Sequence, residues 1–327
     1  MTEVPQKVLL IQFRRLGDAV LVTPVFDALR AAWPKTEVHL LTEFPVTDLF
    51  TSDPRVDRIW TRPARGGLPE LVRQLRKEKF GLVFDFQSLP ITSFLAWSTG
   101  GATVGFERRF RKYGTTVKLT DHRGSDYAAD HKLDLLRAVG LTPSDYEPRL
   151  LPDLQPAELW RAAGDQPRVV LMPVSPWAHK RWSGEAFAKT ARQTHQETGA
   201  FFGVIGGPGE GAEVEEVGAQ LGEVPHQTHV ATSIGELLNL LAGAQVFFGN
   251  DNGPRHMAAA LGLPTLGWFK DINPTHWTLP GSRHPVLWDT IHAKGRPVQA
   301  DRVILAPEPE VAAKALTQLI KSVNATS

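Results

Sequence analysis

The residues from Gly249 to Pro264, GNDNGPRHMAAALGLP, join the end of an apolar strand to the start of a helix in a way suited to holding an anion. Asp251 and Asn252 stand at the N-cap, where a side-chain oxygen can accept a free backbone N–H. Gly253 lets the backbone come close to a ligand, and Pro254 suits the first helical turn. The exposed N–H groups and the helix dipole then favour a group such as a diphosphate. His256, one turn in, can donate a hydrogen bond. Local physics alone leaves a plain capped helix equally open, because many helix starts share these features.

Other loops carry weaker signals. Arg14 to Pro24 reads RRLGDAVLVTP, and Asp18 could simply cap the helix that follows. Pro173 to Trp182 reads PVSPWAHKRW and offers Ser175 and Lys180; an isolated lysine is most often a surface residue. The glycines of Ile205 to Gly211, IGGPGEG, do not have the Gly-x-Gly-x-x-Gly spacing, which weakens a nicotinamide-dependent reading. Gly105 to Tyr113, GFERRFRKY, packs Arg108, Arg109, Arg111 and Lys112 among aromatics, either as a solvated loop or as a grip for anions. No Asp-x-Asp pair and no zinc-type pattern occurs.

The elements that must position these loops alternate. Lys7 to Phe13 is a short apolar run that reads as a buried parallel strand. An amphipathic helix from about Ala19 to Trp33 follows, with Pro24 near its start. Strands are expected at Glu37 to Leu41, Val56 to Trp60 and Gly81 to Phe86, and helices at Leu68 to Lys77 and Asp126 to Val139. Proline and charge gather between Glu147 and Pro156, where the linker is placed. The pattern then restarts, with strands at Arg168 to Met172, Ala200 to Ile205, Gln245 to Gly249 and Pro264 to Trp268. Helices are expected at Gly184 to Gln193, Ala212 to Leu221, Ile234 to Ala242, Gly253 to Leu261 and Pro307 to Val323. This order predicts an α/β chain of two Rossmann-like domains, residues 1–152 and 153–327, facing a cleft. Ligands in such sheets bind beyond the carboxyl ends of the strands, where the loops above lie.

Composition narrows the class. The chain has 327 residues, enough for two domains. Lys plus Arg is 36 against 35 for Asp plus Glu, so no overall field draws it to nucleic acid or anionic lipid. With no cysteine, disulfides, thiolate metal sites and cysteine nucleophiles are excluded. No signal-peptide pattern precedes the first strand, and the uncharged stretch from Phe86 is too polar to span a bilayer; a cytoplasmic protein is expected.

The motif Asp-x-Gly-Pro-x-His-x-Ala-Ala-Ala-x-Gly-x-Pro at Asp251 to Pro264 resembles the signature of the lipopolysaccharide heptosyltransferases, glycosyltransferase family nine. The Gly-Asp and Thr-Pro pairs between Gly17 and Pro24, and the lysine before an aromatic at Lys180 and Trp182, are similar to two further loops of that family, in the same order. The chain departs at Asn252, where the family usually has Thr or Ser, at Pro176 and Trp177, and at Phe269 to Pro274, where the family often has a Gly-Pro-Thr turn.

The resemblance implies the glycosyltransferase B fold, with the last helix crossing back to the first domain. It implies an inverting transfer of heptose from ADP-heptose to the lipopolysaccharide inner core. Asp18 is then the general base, because a sugar hydroxyl attacks well only as its proton is accepted. Lys180 meets the leaving β-phosphate. Ser175, Asp251, Asn252, Gly253 and His256 hold the donor diphosphate, Glu210 (with Glu213 in reserve) the ribose, and Thr232 lies near the adenine. Arg14, Arg15, Arg108, Arg109, Arg111 and Lys112 face an acceptor rich in carboxylates and phosphates. Neither metal nor cofactor is expected, since the ADP-sugar is a substrate; the partners are the nucleotide sugar and the anionic core, with peripheral contact at the inner membrane and no nucleic acid. A transferase for another nucleotide sugar, or a non-catalytic binder of the same fold, are the rival readings.

Overall fold

The computed structural model describes residues 3–108, 114–118, 124–155, 157–270, 272–289, 303–305 and 308–325. The chain divides into two compact units, Met1–Pro152 and Asp153–Ser327.

In the first unit β1 (Lys7–Ile11) leads into α1 (Leu16–Val20) and α2 (Thr23–Ala32). Then come β2 (Glu37–Thr42), β3 (Arg58–Thr61), α3 (Leu68–Lys77), β4 (Leu82–Asp85), α4 (Pro90–Ser98), β5 (Ala102–Phe106), β6 (Thr115–Val117) and α5 (Ala128–Arg137). The sheet order is β3-β2-β1-β4-β5-β6, with every pair parallel. Strands covered on both faces must be apolar throughout, and Val8, Leu9, Leu10 and Ile11 are all fully buried. Leu9, Ile11, Leu71, Leu75 and Val83 join one core beneath α3 and α4.

The first helix differs from the sequence expectation. A single helix from Ala19 to Trp33 is broken into α1 and α2. Pro24 has no N–H to send to the Val20 carbonyl, and the Thr23 hydroxyl takes that carbonyl instead, at 2.8 Å.

The second unit repeats the plan with β7 (Arg168–Met172), α6 (Gly184–Thr198), β8 (Phe201–Gly206), α7 (Gly211–Leu221), β9 (His226–Val230), α8 (Ile234–Ala242) and β10 (Val246–Asn250). It continues with α9 (Gly253–Ala260), β11 (Thr265–Phe269), α10 (Pro274–Trp277), β12 (Val286–Trp288), β13 (Val303–Leu305) and α11 (Pro309–Asn324). Its order is β13-β12-β11-β10-β7-β8-β9, again all parallel. Ser183, Ser233 and Asn252 cap α6, α8 and α9 with side-chain oxygens. The last helix, expected to return to the first domain, packs on α6 of its own unit.

Both sheets reverse their winding at the first strand of the unit, between β1 and β4 and between β7 and β10. That reversal opens a crevice at the carboxyl ends of those strands. The loops after β1 and β4, and after β7 and β10, are therefore the ones placed for chemistry.

Candidate active site

In the second unit two asparagines join the loops at the switch point. Asn250 ends β10 with its side chain fully buried. Its Nδ2 donates to the Pro173 carbonyl at 2.5 Å, and its Oδ1 accepts the Trp182 N–H at 2.9 Å. Asn252 caps α9, its Oδ1 accepting the Arg255 N–H at 3.1 Å. Its Nδ2 donates to the Val174 carbonyl at 3.2 Å. A Thr or Ser could cap but could not also make that second bond from an amide, so the departure at Asn252 adds a tie between the two loops.

The loop so held carries Ser175 and Lys180. Ser175 is buried, its hydroxyl accepting the Trp177 N–H at 3.4 Å and its carbonyl taking Nε of Arg181 at 2.7 Å. Lys180 ends a short 3-10 turn, Ala178–Lys180, and is half-exposed, with no side-chain partner among the described residues. Trp182 stacks on Trp268 at 5.3 Å and meets Phe187 edge-on at 5.1 Å, which anchors the end of the loop to the core. The structure thus brings Ser175, Lys180, Asn252 and Gly253 together on neighbouring loops.

Asp251 is spoken for on one side. Its Oδ1 accepts Nη2 of Arg255 at 3.0 Å, an ion pair with only 2% of the arginine side chain exposed. His256 is buried, and burial, followed by the adjacent Arg255 charge, holds its pKa well below the ordinary 6.5. It is therefore a neutral imidazole at neutral pH.

The two ribose candidates have structural partners. Glu210 folds back so that Oε2 accepts the Gly207 N–H at 2.8 Å. Glu213 pairs with Arg181 at 2.8 Å, and that hydrogen bond lowers its pKa. Thr232 donates from both N and Oγ1 to the Glu236 carboxylate, at 2.7 and 2.8 Å.

In the first unit Asp18 lies on α1, half-buried, and its Oδ2 accepts the Arg15 N–H at 3.3 Å. The backbone just before it is clamped from the loop after β4. Gln87 Oε1 accepts the Phe13 N–H at 3.0 Å, and the Arg14 carbonyl accepts the amides of Gln87 and of Gln12, the latter at 3.1 Å. Arg14 is exposed and pairs with Glu43 at 3.3 Å; Arg15 and Arg108 are exposed. Arg109, Arg111 and Lys112 lie outside the described residues.

Sequence reasoning missed Lys132. It sits on α5, partly buried, with Nζ 3.4 Å from the Phe86 carbonyl. Desolvation pulls its pKa down, Asp18 and Asp85 pull it up, and Arg108 adds to the lowering. The net direction is down, and the charges of Asp18, Asp85 and Arg108 all act on Lys132 at the carboxyl end of this sheet. A lone lysine in a helical pattern gave no sign of this. Asn250 and Arg255 were likewise missed, although both lie inside the Gly249 to Pro264 motif, as was Gln87, which follows the strand expected to end at Phe86.

Solved structures share this architecture. A family 9 glycosyltransferase from Veillonella parvula aligns over 98% of both chains with a TM-score of 0.79 and 21% identity. E. coli ADP-heptose lps heptosyltransferase II aligns over 97% of this chain and 99% of its own with a TM-score of 0.75 and 17% identity. Two doubly wound parallel units of this kind make up the B-type fold that these structures share. Residues 69–303 match the model of glycosyltransferase family 9 (heptosyltransferase), and the chain belongs to that family. The lipopolysaccharide core heptosyltransferase OpsX of Haemophilus influenzae is 23% identical over 84% of this chain and 81% of its own length. Lipopolysaccharide heptosyltransferase 1 of Pseudomonas aeruginosa is 24% identical over 82% and 79%.

Proposed function

We propose that this glycosyltransferase moves a heptose from ADP-heptose to the inner core of lipopolysaccharide, inverting the anomeric carbon. Family membership and relatives named for that transfer support the reading, as does a solved relative, E. coli heptosyltransferase WaaC, described with ADP. The observation that carries it is the joining of the Lys180 loop to the start of α9 by Asn250 and Asn252.

The acceptor hydroxyl oxygen forms a bond to the anomeric carbon while its proton passes to the Asp18 carboxylate. The bond from that carbon to the β-phosphate oxygen breaks, and ADP leaves with the electron pair. Lys180 and the N–H groups at Gly253 meet the charge that develops there. In this reading no metal or cofactor takes part. Arg14, Arg15 and Arg108 attract the anionic acceptor, so the enzyme works at the cytoplasmic face of the inner membrane. Among the described residues no helix is long and apolar enough to cross a membrane.

A transferase for another nucleotide sugar is the second reading, favoured by the departure around Phe269 and Pro274. One panel separates the two. ADP-, UDP- and GDP-sugars are compared by thermal shift, since a bound ligand raises the melting point. Transfer to a heptose-free lipopolysaccharide acceptor is then followed by mass spectrometry. ADP-heptose is expected to stabilise the protein and to add one heptose; stabilisation by another nucleotide sugar without ADP-heptose turnover refutes the first reading.

A further inference from the structure

Arg255 occupies a position the donor motif leaves open, and it is 1% exposed. Its stem crosses β11 at Gly267, where an added β-carbon would stand 2.7 Å from the arginine Cδ. Beyond that gap the guanidinium lies over the Phe269 ring, 4.8 Å from its centre. Nη2 reaches Asp251 Oδ1 at 3.0 Å, the Trp277 carbonyl at 2.8 Å and His256 Nε2 at 3.4 Å. Nη1 reaches the Thr278 hydroxyl at 3.4 Å. One buried cation thus links the donor motif to Phe269 and to the end of α10.

We propose that Arg255 is a positioning residue of the donor site, which compensates the Asp251 charge beside the anion-holding start of α9 and fixes His256 with its proton on Nδ1. This rests on the donor reading above. A carboxylate next to that helix start repels a diphosphate, and a buried partner at 3.0 Å cancels the repulsion. A guanidinium can only donate, so the imidazole nitrogen facing it must accept, which leaves the hydrogen on the other one. The burial that keeps His256 uncharged acts in the same direction. His256 then offers an N–H and not a lone pair from Nδ1.

The test compares ADP with adenosine, which lacks the phosphates, by calorimetric titration of the full chain. In Arg255→Met the ratio of ADP to adenosine affinity is expected to fall about tenfold, and in Arg255→Lys, which keeps the charge, to stay within about threefold of wild type. An unchanged ratio in Arg255→Met, or equal losses for both ligands, overturns the proposal. If that variant does not fold, Arg255→Gln is judged by the same ratio. The wild-type protein supplies a separate readout. The imidazole ¹⁵N shifts of His256, assigned by their absence in His256→Gln, are expected to show the Nδ1–H tautomer; the Nε2–H tautomer overturns the proposal whatever the variants do. Wild-type protein that binds no ADP defeats the donor reading instead, and the tautomer still decides what Arg255 does locally.

Discussion

Asn250 accepts the backbone N–H of Trp182 at 2.9 Å while its own amide donates to Pro173, so one buried side chain grips both ends of the loop that carries Lys180. The loop itself is eight residues, Val174 to Arg181, of turn and 3-10 helix between those grips. Its ends are therefore held from β10, across the switch point, while Arg181 on the Ser175 carbonyl braces it from within.

Replacing Asn250 with Ala removes both bonds and leaves the Trp182 N–H and the Pro173 carbonyl without their partner. An unsatisfied buried group costs about 1–3 kcal/mol, so a loss of that order in unfolding free energy is expected by urea denaturation. ADP affinity is expected to fall in the same variant, because the loop that carries Lys180 is no longer tied to the end of β10. A variant that is less stable yet binds ADP as tightly as wild type separates the two roles and removes the positioning one.

Asp18→Asn keeps the size of the side chain and its ability to accept the Arg15 N–H at 3.3 Å. It removes the basic carboxylate. General-base catalysis is worth roughly 10²–10⁴-fold, so kcat is expected to fall by about that factor with ADP affinity unchanged. Near-normal turnover in Asp18→Asn means that the proton goes elsewhere.

Gln87→Leu tests whether the clamp on the first loop matters to catalysis. Its amide oxygen holds the Phe13 N–H at 3.0 Å and its amide nitrogen holds the Arg14 carbonyl, four residues before Asp18. Gln12 still reaches that carbonyl, so the loop loosens without being lost. About a tenfold drop in kcat is expected, with ADP affinity as in wild type, since small misplacements of a reacting group are costly. An unchanged kcat assigns the clamp to folding alone.

These positioning groups mark the limit of what the residues disclosed by themselves. The continuous apolar runs at Lys7 and Arg168 announced parallel strands, and the Asn252–Gly253–Pro254 start announced α9, because burial on two faces and helix capping are local demands. The strand β9, HQTHV, is half-exposed and polar, so it has no apolar run to notice. β12 and β13 are three residues each, too short for periodicity to speak. Asn250, Gln87, Lys132 and Arg255 act on residues distant in sequence: Gln87 on Arg14, Asn250 on Pro173, Arg255 on Trp277. Nothing in the immediate neighbours of Asn250, Gln87 or Lys132 requires an amide or a cation; Asp251, four residues before Arg255, does call for one, but the reach of that arginine to Trp277 comes only from the crossing of strands.

Lys180→Ala removes a charge that the proposed mechanism places at the leaving β-phosphate. ADP affinity is expected to fall by about tenfold, and adenosine affinity by less than about twofold, because only ADP carries the phosphates. Equal losses mean that the lysine shapes the loop and does not meet the nucleotide's charge.

His256 makes stability depend on pH in a direction fixed by its burial. Its folded pKa lies well below the ordinary 6.5, because desolvation and the Arg255 charge both oppose protonation. In the unfolded chain the imidazole takes a proton near its ordinary value. Between the folded pKa and 6.5 the unfolded state thus binds more protons, and stability rises with pH. The contribution is fully present above pH 6.5 and is lost as pH falls below it towards the folded value. The slope for one such group is at most about 1.4 kcal/mol per pH unit. His39 acts in the same sense, since burial also lowers its pKa. The difference between wild type and His256→Gln isolates the effect. Urea unfolding at pH 7.5 and at pH 5.5 is expected to show wild type losing more stability than the variant on acidification; equal losses mean that His256 carries its proton in the folded state.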